Sequence, residues 1–229
     1  MENGRLGLLY VIAFLIALVF ALVLHEVAHG LVALWNGDPT AKLYGRLSLN
    51  PLKHFDIVGL LMMLVVGFGW AKPVPVDPRN YKNYKRGSIT VAIAGITTNI
   101  LLAFVFAMPS VLLYPLLYQV SITDNKAVYY VVYFFYFLSS IMVQLNISLA
   151  LFNLLPLYPL DGYRLIASFV NENNGFMRFM RRYSLYIMLG LIALDMIPYV
   201  KAYSPFNWYI GYVGGWIEYG FEAFWRLIF

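Results

Sequence analysis

Long apolar runs alternate with short polar stretches along the chain. Residues of roughly 7–35, 88–118 and 128–157 form runs that, as helices rising about 1.5 Å per residue, can each cross a hydrocarbon core about 30 Å thick. A fourth run, about 183–199, is short for a crossing, and a fifth extends from about 206 to 229. Between the first two lies 57–70, apolar but only about half a bilayer in helical length. Gly59, Gly67 and Gly69 fall within it, and Lys72-Pro73-Val74-Pro75-Val76-Asp77-Pro78 follows. These residues argue against a crossing helix and predict a re-entrant or β-hairpin-like segment whose backbone other helices must cover. The pattern predicts an all-α polytopic membrane protein with about five to six membrane segments. No Gly/Ser linker or charge run divides it, so a single integral-membrane domain over 1–229 is expected.

Composition agrees: 62% of residues are hydrophobic and 12% charged, well outside the range of soluble domains. The absence of cysteine excludes disulfides, thiolate zinc sites and cysteine nucleophiles. A net charge of +5 on so few charged residues reads as membrane-flanking Lys and Arg, not as a nucleic-acid surface. Those cations alternate. Lys42, Arg46, Lys53, Lys72, Arg79, Lys82, Lys85 and Arg86 follow the first run, and Arg164, Arg178, Arg181 and Arg182 follow the third. The connections after the second and fourth carry only Lys126 and Lys201. By the positive-inside rule the first and third runs cross from outside to inside, which predicts a multi-pass cell-membrane protein with an external N-terminus. The first run is too long for a cleavable signal peptide, and it carries histidines.

Those histidines introduce the chemistry. Leu24-His25-Glu26-Val27-Ala28-His29-Gly30 interrupts hydrocarbon-compatible sequence, where three ionisable side chains within two turns are costly without a function. On a helix His25 and His29 share a face about one turn apart, which lets both imidazoles reach one tetrahedral Zn²⁺. Glu26 leaves the helix about 100° round from His25, within reach of the proton of an attacking water. A catalytic zinc site needs a third protein ligand. Asp161 ends Asn153-Leu154-Leu155-Pro156-Leu157-Tyr158-Pro159-Leu160-Asp161-Gly162, at the cytoplasmic end of the third run. Because the first run also points inward, its histidines and Asp161 meet at one depth, in the cytoplasmic half of the bilayer. Pro156 and Pro159 break the helix before Asp161, and Gly162 permits close backbone approach after it.

These motifs resemble those of the site-2 protease family, intramembrane zinc metalloproteases that pair HExxH with a later Asn-x-x-Pro-x-x-Pro-Leu-Asp-Gly segment. Gly69-Trp70-Ala71-Lys72-Pro73-Val74-Pro75-Val76 is similar to a stretch of the family's compact members. The resemblance covers about 7–170. It implies zinc ligands His25, His29 and Asp161, one catalytic Zn²⁺, and Glu26 as general base. It also implies that Asn153 holds the substrate carbonyl or stabilises the oxyanion. The implied substrate is a transmembrane protein whose helix unwinds on binding in the lipid bilayer, and the segments of 180–229 are expected to act as a lateral gate. The chain departs from the family at Ala94-Gly95-Ile96-Thr97-Thr98-Asn99, where members often have Ala-Gly-Pro-x-x-Asn; the local helix kink is therefore in question, not the metal site. No stretch suits a PDZ or cystathionine-synthase-type domain, so a minimal catalytic core is expected.

Two alternatives stay open at this stage. The same residues would serve a metal-binding transport or scaffold protein that does not hydrolyse anything. The 57–70 segment suits either an edge for pairing with an extended substrate or a plug that shields the site from lipid. Among the remaining polar residues, His54 reads as interfacial and not as a ligand. Gln144 and Asn146 read as interhelical or cavity-lining, and the aromatic run 129–137 as packing.

Overall fold

The computed structural model describes residues 2–54, 56, 59, 72–121, 125–171, 173–197 and 204–229. Six principal helices are present among them: α1 (Glu2–Trp35), α2 (Tyr84–Ser121), α3 (Lys126–Leu154), α4 (Asp161–Ala167), α5 (Gly175–Met196) and α6 (Gly214–Ile228). No strand occurs among the described residues. The predicted re-entrant or hairpin-like segment at 57–70 lies outside them apart from Gly59.

The helices begin earlier than the apolar runs because asparagines cap them. Asn83 Oδ1 accepts from Arg86 N at 2.9 Å ahead of α2, Asn125 Oδ1 from Ala127 N and Val128 N ahead of α3, and Asn174 Oδ1 from Phe176 N ahead of α5. Helix α3 stops at Leu154, three residues short of the expected end, because Pro156 lacks the N–H the next turn requires. Among the described residues three helices are long and apolar enough to cross a membrane: α1 from Gly4, α2 and α3. Helix α5 carries Arg178, Arg181 and Arg182 near its start. The fifth run is broken into Pro205–Asn207, a π-helical stretch Trp208–Val213 and α6. Three candidate crossings are thus found among the described residues, against the five to six membrane segments predicted, and 60–71 and 198–203 lie outside those residues.

The chain divides into two compact units, and residues of α1, α2 and α3 belong to both. The first comprises 1–21, 99–151 and 194–229. Its core is Ala103, Ala107, Val143, Ile147 and Leu151, against which Tyr209, Ile217, Phe221 and Trp225 pack. Trp225 Nε1 donates to the Phe104 carbonyl at 2.8 Å. Gln144 meets Glu218, and the 129–137 aromatics pack edge-on or tilted against one another and against Tyr10. Leu8, Val11, Leu15, Leu101 and Val105 are exposed apolar side chains, as helices surrounded by lipid require.

The second unit comprises 22–98 and 152–193. The chain leaves α1 at Asn36 and returns to the same place before α2. Lys82 N donates to the Asn36 carbonyl at 2.8 Å, and Asn36 Nδ2 donates to Thr90 Oγ1 at 2.9 Å. Asp38 is fully buried here and accepts from four donors: Thr40 N, Thr40 Oγ1, Asp77 N and Asn80 Nδ2. Gly37 adopts φ +106°, a backbone state that side-chain-bearing residues rarely enter, and this turns Asp38 inward.

Candidate active site

All the chemistry-bearing residues singled out in the sequence fall in the second unit. Helix α1 carries His25 and His29 on one face, both buried, with imidazole Nε2 atoms 3.1 Å apart. Asp161, buried at the first position of α4, brings Oδ2 to 3.2 Å from His25 Nε2 and 3.1 Å from His29 Nε2. The corner that delivers it depends on Gly162. A Cβ there would lie 2.2 Å from the Leu154 carbonyl oxygen and 2.5 Å from that of Leu155.

The protonation logic of this cluster favours a cation. His29 Nδ1 lies 2.7 Å from the Val91 carbonyl oxygen; a carbonyl only accepts, so Nδ1 carries the hydrogen and a neutral ring has its lone pair on Nε2. That lone pair faces another imidazole nitrogen and a carboxylate oxygen, an arrangement that is repulsive unless a positive charge sits among them. Carbonyl support of the distal ring nitrogen is the usual way a metal-ligating histidine is held. The spacings fit zinc as well. Ligands about 2.0–2.1 Å from a tetrahedral ion are about 3.3 Å from one another, and the three separations here are 3.1, 3.1 and 3.2 Å. His25, His29 and Asp161 are the set of His, Cys, Asp or Glu side chains among the described residues able to hold a metal ion together.

Gly95 of α2 borders the same spot. A Cβ built on it would lie 2.4 Å from His25 Cε1 and 2.5 Å from the Nε2 atoms of both histidines. The α2 backbone thus closes one side of the cluster at a distance that only glycine permits, and its value was invisible from the sequence beyond its place in Ala94-Gly95-Ile96.

Glu26, half-buried, is tied to the extended 72–77 segment: Val74 N donates to Glu26 Oε2 at 2.8 Å. Gly30, one turn further along α1, makes the approach possible. A Cβ at Gly30 would meet Leu47 Cδ2 at 2.6 Å and Val74 Cγ1 at 3.1 Å. Behind the segment, Arg46 Nη2 donates to the Lys72 carbonyl at 2.6 Å and to that of Pro73 at 3.3 Å, while Lys72 N donates to the His54 carbonyl. Arg46 and His54 are both buried, and His54 Nε2 is bonded to the Ser48 carbonyl. His54 is thus a buried support, not a surface group at the interface. Asp38 and Arg46 were not singled out from sequence as structural supports. The signal available was the Asn36-Gly37-Asp38-Pro39-Thr40 turn, an acceptor two residues before a hydroxyl. Asn153 occupies the last turn of α3, half-buried.

Comparison with known proteins gives the family. The sequence profile of peptidase family M50 matches residues 116–194. A Bacillus subtilis (strain 168) protein named "Putative zinc metalloprotease YwhC" is 44% identical over 155 residues, covering 68% of this chain and 68% of that protein. No solved structure matches the chain.

Proposed function

This chain belongs to peptidase family M50, the site-2 protease family, and on that premise we propose that it cleaves transmembrane or membrane-embedded protein substrates within the bilayer. The chain is a zinc metalloprotease and a membrane protein, which sets aside the transport or scaffold reading. In this proposal His25, His29 and Asp161 hold one Zn²⁺ and Glu26 is the general base. The supporting observation is the buried meeting of three ligand-type side chains, two of them on an otherwise apolar helix, with Glu26 adjacent in sequence.

Zinc, when bound, supplies Lewis acidity that lowers the pKa of a water and polarises the scissile carbonyl. Glu26 takes the proton of the attacking water and passes one to the leaving amine. The Val74 N–H engages Oε2, which restrains the carboxylate and leaves Oε1 to receive the proton. Asn153 holds the substrate carbonyl or donates to the developing oxyanion, a contribution worth a few kcal/mol in comparable sites. A helical substrate has its amides internally bonded, so it must unwind before a carbonyl reaches the site. The segments of 180–229 form the lateral gate through which it enters the 7–170 core. The Lys and Arg alternation supports an external N-terminus and a site in the cytoplasmic half of the membrane.

The test is Glu26→Gln. The variant should keep its zinc, measured by elemental analysis, and lose at least about 10²-fold in cleavage of a reconstituted single-span substrate. Cleavage at the normal rate would overturn the mechanism.

A further inference from the structure

The second unit contains a cavity of about 480 Å³ that opens beside the metal-type cluster and plays no part in the chemistry above. Its wall carries Tyr81, Tyr84, Tyr158, Tyr163, Arg164 and Arg181, and no lining residue is acidic. Two guanidinium groups and four tyrosines, with Val76, Pro78, Val91, Ala92 and Ala167 between them, form a mixed concave site whose charged side chains are all cationic. The ring of Tyr158 meets that of Tyr163 edge-on at 5.4 Å, and the Tyr163 hydroxyl accepts from Arg181 Nε at 3.3 Å. The Tyr158 backbone N–H is in turn bonded to Ser184 Oγ at 2.9 Å. The aromatic side of the cavity is thereby fixed to α5.

Two residues link this cavity to the cluster. Arg164 lies one turn beyond Asp161 on α4, and its Nη1 is 4.0 Å from Asp161 Oδ1. Val91 lines the cavity, and its carbonyl holds His29 Nδ1. A peptide residue seated among the arginines is therefore a short way along the chain from a carbonyl at the cluster. The wall comes from the 76–84 stretch, the first turns of α2, and α4 and α5. It stands beside Lys82, Lys85 and Arg86, where the chain leaves its apolar sequence.

Resting on the protease reading, we propose that this cavity is a specificity subsite for an acidic side chain of the substrate, an Asp or Glu just outside the substrate's membrane segment. Arg164 and Arg181 recognise the carboxylate through charge-assisted hydrogen bonds, and the tyrosines enclose the aliphatic part of the side chain. Because Lys and Arg are the usual residues on the cytoplasmic flank of a membrane segment, a carboxylate there distinguishes a substrate from most other spans.

The test uses the full chain reconstituted in neutral-lipid vesicles and a single-span substrate carrying Glu, Gln or Lys at successive positions on that flank. At one position the Glu substrate should be cut about tenfold faster than the Lys substrate in kcat/KM, with most of the difference in KM. Arg181→Glu, checked for retained zinc, should invert the order. Equal cleavage of all three substrates by the unaltered protein would overturn the subsite and leave the protease reading standing. Binding of the same peptides to the Glu26→Gln protein separates the two: a Glu preference in binding, with no peptide cut by the unaltered protein, would sink the protease reading alone. When the assay is repeated in vesicles of increasing anionic-lipid content, cleavage that follows lipid charge and ignores peptide charge would assign the cavity to a lipid headgroup and overturn the proposal.

Discussion

At the scale of single residues, the spacing His25-x-x-x-His29 could be read as chemistry because helical geometry alone puts both rings on one face. Asp161 was reachable by the same reasoning, since proline and glycine mark the place where a helix end can be turned inward. Gly95 was not reachable, because its role exists only once α2 lies against α1. It yields a sharp prediction. In Gly95→Ala the new methyl would fall 2.4–2.5 Å from both imidazoles, so the rings must move and zinc content should fall well below one per chain. Gly4→Ala, whose Cβ meets nothing within 4 Å, should retain full zinc. Elemental analysis of the two purified variants checks this. Equal metal content would show that α2 gives way without disturbing the rings.

The three long helices were legible to within about five residues, whereas α5 begins eight residues ahead of the run at 183, the run from 206 is broken into three pieces, and α4 was not foreseen. The departures arise from capping asparagines, which start α2, α3 and α5, and from Pro156, which ends α3 early. What hydropathy cannot reveal is a buried polar residue inside a loop, since a charge in a basic connection looks solvated whether or not it is. Asp38 is the example. Burial works to raise its carboxyl, and the hydrogen bonds from Thr40, Asp77 N and Asn80 outweigh that and hold it below the ordinary 3.8. A carboxylate with a lowered folded value stabilises the fold at neutral pH and loses that contribution as pH falls below about 3.8 and through the folded value. Asp38→Asn should therefore unfold at a lower temperature at pH 7, by an amount corresponding to about 2 kcal/mol. It should also show less acid sensitivity than the unaltered protein. Thermal unfolding in detergent across the acid range measures both, and parallel pH profiles would contradict the assignment.

At the scale of the whole molecule, the absence of cysteine turns from an exclusion into a tool, because any introduced thiol is unique. Single cysteines replacing Asn173 and Gly4 should be labelled by a membrane-impermeant reagent from the inside and the outside respectively. Labelling of both from one side would refute the orientation. Phe104 and Phe221 meet edge-on, ring centroids 5.3 Å apart, where α6 meets α2, so F104C/F221C joined by a short thiol crosslinker should stop cleavage if the C-terminal helices gate entry. Undiminished cleavage would remove them from that role. The return of the chain from 77–82 to the end of α1 has a consequence of another kind. Because Asp77, Asn80 and Lys82 fasten the chain back onto Asn36 and Asp38, everything between is a closed excursion whose two ends already coincide. Doubling the length of such an excursion costs only about 0.6 kcal/mol of closure entropy. The protein can therefore take inserted sequence at the Tyr44-Gly45 turn without respacing α1 and α2. The exceptions are Arg46, which holds the 72–73 carbonyls, Leu47, which lies against Gly30, and the stretch at Val74, where the excursion touches Glu26, so a change there would be felt as lost activity before it was felt as lost fold.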